Sequence, residues 1–322
     1  MICTADISLF AGYKFHNVFR DGDCTVYQLK NATGQGEMRG YCPAPGIYVF
    51  YNCLRMATCY QPQVPSADWV SINHCRRGSY EFETENGYSS ILGEGDMCMH
   101  DIARLRLRDS RVPPGYFDGL TVSLEVEAAQ ASLERLSPGL GIDLPALRDR
   151  FCNREDPFLI RPEPEIARVF DELYRVDKRI RHPYMLLKIL ELALLLSVCE
   201  NHVPLSRFSA DVVRRTREVH ASLLKHPLKK RSIAELCRIF GVSSTNLRAC
   251  FRALYGRPLG MFAREERLKQ AAHLLLAWPE CPVGEIARQA GYENQSKFSA
   301  AFREMHHLSP LAYRRRNSDS LE

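Results

Sequence analysis

The chain has 322 residues, 45% of them hydrophobic and 25% charged, and its 43 Lys+Arg against 38 Asp+Glu give a formal charge of +5. These are globular proportions that favour about two domains and exclude a disordered tail, a collagen-like repeat or a mucin-like stalk. The charge is unevenly spread: residues 207–322 hold 21 Lys+Arg and 11 Asp+Glu, whereas residues 1–206 hold 22 and 27. An acidic first part joined to a basic last third implies one half that meets a polyanion and one that does not.

The first part, to about Glu125, reads as strands. Runs rich in β-branched and aromatic residues (Thr25–Leu29, Ile47–Tyr51, Trp69–His74, Ser79–Thr84, Ser89–Leu92, Met97–His100, Leu120–Val126) alternate with Pro and Gly punctuation. Asn86-Gly87 between two of these runs predicts a hairpin with a type I′ turn. Many short strands at this spacing predict an antiparallel barrel or sandwich. From about Glu127 the period becomes helical: Ala128–Leu136, Leu144–Phe151 and Glu163–Tyr174 are amphipathic, and Tyr184–Cys199 is apolar nearly all round. A helix of that kind is buried or shared with another subunit, which makes it the candidate dimer seam, with Leu192 as the position to test. A stretch with Pro204 and Ser206 then leads into the basic third.

Twelve cysteines are scattered along the chain without a CxxC pair. Met1-Ile2-Cys3-Thr4-Ala5-Asp6 lacks the basic start and apolar core of a secretory leader. Reduced thiols serving as small buried hydrophobes in a cytoplasmic protein are therefore expected. The most apolar stretch, Met185–Cys199, spans 15 residues and contains Lys188 and Glu191, so no membrane segment is expected.

The basic third contains an internal repeat. Ile233-Ala234-Glu235-Leu236-Cys237-Arg238-Ile239-Phe240-Gly241-Val242 is echoed by Val283-Gly284-Glu285-Ile286-Ala287-Arg288-Gln289-Ala290-Gly291-Tyr292, with Gly241 and Gly291 50 positions apart. In each copy a short amphipathic helix ends at a glycine, and a second helix starts just beyond, with Ser243 and Asn294 as N-caps. Helix, turn, helix is the unit that sets its second helix in the major groove. Spacing assigns Leu247, Phe251 and Leu254 to the core of the first unit and Phe298, Phe302 and Met305 to that of the second. The candidate DNA-binding residues are then Ser243, Thr245, Asn246, Arg248 and Arg252 in the first unit, and Asn294, Gln295, Ser296, Ser299 and Arg303 in the second. Arg forks onto guanine and Gln onto adenine, while hydroxyls and helix N-termini suit phosphate. Leu259–Trp278 is an unbroken helical pattern between the units, stiff enough to fix their separation; successive major-groove segments on one face lie about 34 Å apart.

On these residues, Asp211 to Arg316 resembles the DNA-binding domain of the AraC/XylS family of bacterial transcription regulators. Ile286-Ala287, Gly291-Tyr292, Gln295-Ser296, Phe298-Ser299, Phe302-Arg303, Ser309-Pro310 and Tyr313-Arg314 carry the resemblance. It implies a tandem reader behind an effector-binding or dimerisation domain, often a cupin-like barrel followed by helices. It also implies contact with RNA polymerase and activation of transcription. Two departures stand out: Ala249 and Ala300 occupy positions where the family often has Arg, and His307 replaces the glycine usual before Ser-Pro. Histidine tolerates positive φ better than most residues, so the turn is expected to survive.

Other chemistries are weaker. Cys98 and His100 share one strand face, with His74 and Cys75 near in sequence, but the His-x-His pair of cupin-type metal sites is missing, so no metal or cofactor is expected. The four-cysteine zinc site of alkyl-acceptor DNA-repair proteins needs close cysteine pairs, and the nearest, Cys53 and Cys59, are six apart. There is no GxSxG and no phosphate-binding GxxxxGKS/T. Tyr48, Phe50, Tyr51, Trp69, Tyr80 and Phe82 are core residues by default, a few of them pocket-lining. The Arg314-Arg315-Arg316 run is phosphate-directed or a solvated end.

The reading is an α+β protein: an N-terminal antiparallel β-barrel of cupin-like type (residues 1–126, effector-sensing), a helical linker and dimerisation segment (127–206), and an all-α tandem helix-turn-helix domain (207–322). Its expected partners are double-stranded DNA, RNA polymerase, a small-molecule effector and a second copy of itself, with no membrane and no enzymatic activity. The competing classes are a cupin-type metalloenzyme fused to a DNA-binding domain and a constitutive DNA-binding protein whose N-terminal domain only dimerises.

Overall fold

A computed structural model describes residues 15–59, 68–153, 157–199 and 207–318. The Met1–Asp6 start and the Pro204–Ser206 stretch lie outside the described residues. Near Ala210 and Asp211 the chain divides into two compact units.

The first unit begins with ten strands: β1 (Asn17–Asp21), β2 (Cys24–Asn31), β3 (Gly34–Ala44), β4 (Ile47–Arg55), β5 (Trp69–Gly78), β6 (Tyr80–Thr84), β7 (Tyr88–Leu92), β8 (Met97–Asp101), β9 (Leu107–Arg111) and β10 (Phe117–Glu125). There follow α1 (Val126–Leu136), α2 (Leu144–Phe151), β11 (Phe158–Ile160), α3 (Pro164–Arg175), α4 (Arg181–Val198) and β12 (Phe208–Ser209). Every pairing is antiparallel, in an eight-stranded sheet of order β1-β2-β3-β4-β10-β5-β8-β11 and a four-stranded sheet of order β12-β7-β6-β9. The expected barrel is therefore not closed. The β6–β7 hairpin pairs locally and takes β9 as its neighbour, and the two sheets meet at an isolated bridge between Thr58 and Arg111.

The seven strand runs expected from the sequence fall on β2, β4–β8 and β10, whereas β1, β3, β9, β11 and β12 lie outside them. β1 is an edge strand with all five residues exposed, β3 carries three glycines and Pro43, and β9 is rich in charge. None of them shows the apolar alternation that marks a half-buried strand. The hairpin loop also differs from the expected type I′ turn. Gly87 is left-handed (φ 80) and donates its N–H to the Thr84 carbonyl at 3.1 Å, whereas Asn86 keeps a negative φ. That combination is the three-residue loop in which a turn is closed by one left-handed glycine.

The four central strands position the interior. Side chains alternate across a strand, and in β4, β10, β5 and β8 one set points to the helices: Val49, Leu120, Val122, Ile72 and Met99 pack against Leu133, Phe151, Phe170 and Leu192 in one buried cluster. α3 joins that cluster through Ile166, Val169, Phe170 and Leu173, at i, i+3, i+4 and i+7. His74 belongs to this face, stacked on Phe170 at 4.3 Å with Nδ1 3.2 Å from the Tyr174 hydroxyl. It therefore points away from Cys98 and His100. Among the described residues, no group of three or more His, Cys, Asp or Glu is placed to hold a metal ion.

The other set of side chains, with the smaller sheet, lines a partly open cavity of about 120 Å³. Of the six aromatics named from the sequence, Phe50, Tyr80 and Phe82 line it, Tyr48 and Trp69 pack in an adjoining cluster, and Tyr51 turns to the helices, where its hydroxyl donates to the Leu173 carbonyl at 2.7 Å.

The α4 helix is not apolar all round in its surroundings. Leu192 is 1% exposed and packs in the core, so the position chosen from the sequence as a seam residue is structural; Leu187 (62%), Leu194 (37%) and Val198 (71%) form the outward stripe.

Burial in the cavity wall pushes the pKa of His100 down from 6.5 to about 4. The unfolded chain takes up that proton first, so stability falls as pH drops from 6.5 toward 4, by up to about 1.4 kcal/mol per pH unit for this one group. Unfolding of H100Q across this window is expected to depend less steeply on pH than wild type. An unchanged slope would show that the imidazole is not held buried in this wall.

Candidate nucleic-acid interface

The second unit is built from α5 (Ala210–Lys225), α6 (Ile233–Phe240), α7 (Ser244–Tyr255), α8 (Leu259–Ala277), α9 (Val283–Gln289), α10 (Gln295–His306) and α11 (Pro310–Ser318). Capping explains how the first helix pair forms. The Ser232 hydroxyl accepts from the Glu235 N–H at 3.1 Å, and the Ser232 N–H donates to the Glu235 carboxylate at 2.6 Å. α6 stops at Gly241, whose φ of 64 is left-handed. The Arg215 guanidinium donates to the carbonyls of Phe240 and Gly241 at 2.8 and 3.0 Å, closing the end of the helix. Ser243 then caps α7, its hydroxyl accepting from the Asn246 N–H at 3.2 Å. Leu247, Phe251 and Leu254 are fully buried, as their spacing predicts.

The second pair repeats the plan. α9 gives way to Gly291 at φ 76, and the Asn294 side chain accepts from the Ser296 N–H at 2.7 Å to cap α10. Phe298 and Phe302 are buried with Ile286 and Ala287 of α9 and Leu268 and Leu275 of α8, and Met305 packs beside them half-buried. His307 does adopt the left-handed conformation (φ 57), alone among the described non-glycine residues, and its N–H donates to the Arg303 carbonyl at 2.9 Å.

Of the sequence-nominated residues, Ser243, Thr245, Asn246, Arg248 and Arg252 are exposed on or beside α7. Asn294, Gln295, Ser296 and Arg303 are exposed on or beside α10, while Ser299, one turn from the buried Phe302, is half-buried. Ser243 and Asn294 already spend a side-chain oxygen on their caps, and Arg248 Nε lies 3.3 Å from the Ser244 hydroxyl.

Ion pairs neutralise several arginines of the unit, whereas other exposed basic residues, Arg238, Lys229 and Lys230 among them, have no ion pair among the described residues. Arg214 pairs with Asp211 and Glu218, Arg257 with Glu265, Arg264 with Glu304, and Arg288 with Glu285. Arg252 and Arg303 have no acidic partner among the described residues, and each is the ninth residue of its helix. Lys297 also lacks an acidic partner among the described residues and is exposed; its place between the polar face and buried Phe298 gives the sequence no signal for it.

Arg314 has a different task from its neighbours in the Arg314-Arg315-Arg316 run. It donates to the carbonyls of Leu275, Pro279 and Cys281 at 3.2, 2.8 and 2.7 Å, satisfying the end of α8 and the turn beyond it.

Two capped helix pairs, each presenting an outward second helix with uncompensated positive charge, define a tandem helix-turn-helix domain. A family model described as "Helix-turn-helix domain" matches residues 236–316. The chain is 37% identical over 76 residues to the regulatory protein SoxS of Escherichia coli K12, covering 24% of this chain and 70% of SoxS. It is 32% identical over 89 residues to the probable transcriptional regulator LumQ of Photobacterium leiognathi, covering 28% of this chain and 36% of LumQ. Among solved structures, the C-terminal domain of AraT, a response regulator from Geobacillus stearothermophilus, aligns at 31% identity with a TM-score of 0.30, over 33% of this chain and 84% of that one. The chain belongs to the AraC/XylS family of transcriptional regulators. It spans 34–47% of the length of several curated relatives that it matches. No helix among the described residues is long and apolar enough to cross a membrane.

A Cβ at Gly241 would combine a left-handed backbone with a collision against the Arg215 guanidinium. G241A is expected to lower stability by about 1–2 kcal/mol in urea unfolding. A neutral result would show that the α6 terminus is not closed in this way.

Proposed function

We propose that the chain is a sequence-specific DNA-binding transcriptional regulator that lays α7 and α10 in successive major-groove segments of one duplex. The observation that carries this reading is the pair Arg252 and Arg303: exposed, without acidic partners among the described residues, and at the same position of two similarly capped helices. The regulator names borne by SoxS and LumQ support it over an enzymatic role.

In this reading Arg248 and Gln295 read bases. Arg252, Arg303, Thr245, Asn246, Ser296 and Ser299 serve as further base or phosphate contacts, with Ser243 and Asn294 presenting the capped helix N-termini to phosphate. Ala249 and Ala300 are exposed and offer only apolar contact, which suits a thymine methyl. Residues 1–126 sense a small-molecule effector, 127–206 support dimerisation and 207–322 bind DNA. The protein works in the cytoplasm as an activator that contacts RNA polymerase.

Selection of bound DNA from a random pool by the full chain, at two salt concentrations, tests the tandem reading. A long site with two submotifs about one helical turn apart is expected; salt-sensitive binding without a motif would overturn it. Within such a site, R248A or Q295A is expected to cost about 1–3 kcal/mol at one subsite and to relax base preference there. Uniform weakening on every sequence would reassign that side chain to phosphate.

The dimer seam is proposed on the exposed α4 stripe, Leu187, Leu194 and Val198, in place of buried Leu192. L187E/L194E is expected to keep its helical circular dichroism and sediment as a monomer. A double variant that remained dimeric would remove α4 from the interface.

A further inference from the structure

The inner face of the large sheet carries a row of neutral polar side chains where apolar ones would pack more cheaply. The Asn52 side-chain amide donates to the Thr121 hydroxyl at 2.9 Å, and Thr121 donates in turn to the side-chain Oδ1 of Asn73 at 2.7 Å. On the neighbouring row the hydroxyls of Ser71 and Ser123 lie 3.1 Å apart, and Ser71 stands opposite His100 in the β5–β8 register. All six of these residues line the cavity. Buried polar groups are costly unless they find partners, and two groups here are not accounted for. One hydrogen bond joins two hydroxyls in the Ser71–Ser123 pair, so one O–H proton is left over. The His100 ring lines the cavity, and its side chain makes no hydrogen bond among the described residues. A row built only for packing would have no use for either.

Charge and size narrow what completes the row. Among the described residues, no Asp, Glu, Lys or Arg lines the cavity, and the rings of Phe50, Tyr80, Phe82 and Phe117 form its apolar wall. His100 stays neutral through the physiological range because burial disfavours its protonation. With no fixed charge in the lining, a carboxylate, phosphate or ammonium would be desolvated without compensation. A volume of about 120 Å³ is close to the roughly 150 Å³ of an apolar cavity that admits a single benzene ring. A hydroxyl both donates and accepts, so one such group can take the spare serine proton and bond the imidazole together.

We infer that this cavity binds an uncharged, ring-sized molecule bearing a hydroxyl, of the phenol class, with Ser71, Ser123 and His100 as its polar anchor and Phe50, Tyr80, Phe82 and Phe117 as its apolar wall. This names the effector class of the sensing domain and rests on that reading only for its effect on DNA. The ligand reaches the anchor hydroxyl-first, and substituents that add charge are rejected whatever their size.

Calorimetric titration of the full chain with phenol, toluene and benzoate near pH 7 tests the assignment. Phenol is expected to bind saturably, with a dissociation constant on the order of 1 mM or tighter. Toluene is expected to bind about 10-fold more weakly and benzoate at least about 30-fold more weakly. S71A and H100L are each expected to weaken phenol about 5- to 10-fold while leaving toluene within about 2-fold; this specific loss also separates a broken anchor from a misfolded domain. Absence of saturable phenol binding, benzoate binding as tight as phenol, or phenol affinity unaltered in both variants would each overturn the proposal. DNA affinity measured in the same samples separates the two readings. Phenol binding that leaves DNA affinity unchanged would uphold the cavity assignment and remove the effector-sensing role.

Discussion

The constraint on which the first unit depends is the period of two in four adjacent strands, β4, β10, β5 and β8. Most of their large aliphatic residues lie on the side that meets α1–α4, with Tyr51 and His74 among them, and Asn52, Asn73, Thr121, Ser71, Ser123 and His100 lie on the other. A slip of one residue in any of the three pairings between them would exchange the two faces of a strand. It would bury Asn73 or Thr121 against the helices and turn Ile72 or Val122 into the cavity. The register therefore specifies both the main core and the chemistry of the interior.

The second unit answers to a different period. α8 supplies Leu268, Ala271, Ala272, Leu274 and Leu275 to the core of the second helix pair, while Phe262 near its start meets Phe251 of α7 at 5.4 Å. Both recognition helices are thus anchored on one rigid element, and their outward faces are held by packing from beneath. Local hydrogen bonds add definition at the ends: the Ser232–Glu235 box, the Ser243 and Asn294 caps, and the Arg215 and Arg314 clamps.

Much of this arrangement is legible in the amino-acid order because it rests on short-range chemistry. Helical spacing of Leu247, Phe251 and Leu254, glycine at 241 and 291, and Ser243 and Asn294 before their helices need no tertiary information to interpret. The alternation in β10 is legible too, but the polar half of it, Thr121 and Ser123, looks in one dimension like a solvent-facing edge. Only the second sheet, whose order depends on pairings far apart in sequence, turns that half inward. The same reason hid the sheet's open edges: barrel and sandwich share strand length and spacing, and differ in which edges find each other. Arg215 and Arg314 were indistinguishable from surface arginines because the carbonyls they satisfy lie 25 to 39 residues away. The inward turn of Leu192 is not legible because an all-apolar helix does not declare which side faces inward.

The 19-residue α8 also acts as a ruler. At about 1.5 Å and 100° per residue, one inserted residue would carry α9 and α10 forward only slightly but swing them more than a quarter turn about the helix axis. Length and phase along this element cannot be tuned separately. Any lineage that altered α8 would need close to a whole helical turn at once, so the offset between α7 and α10 should change in jumps or not at all.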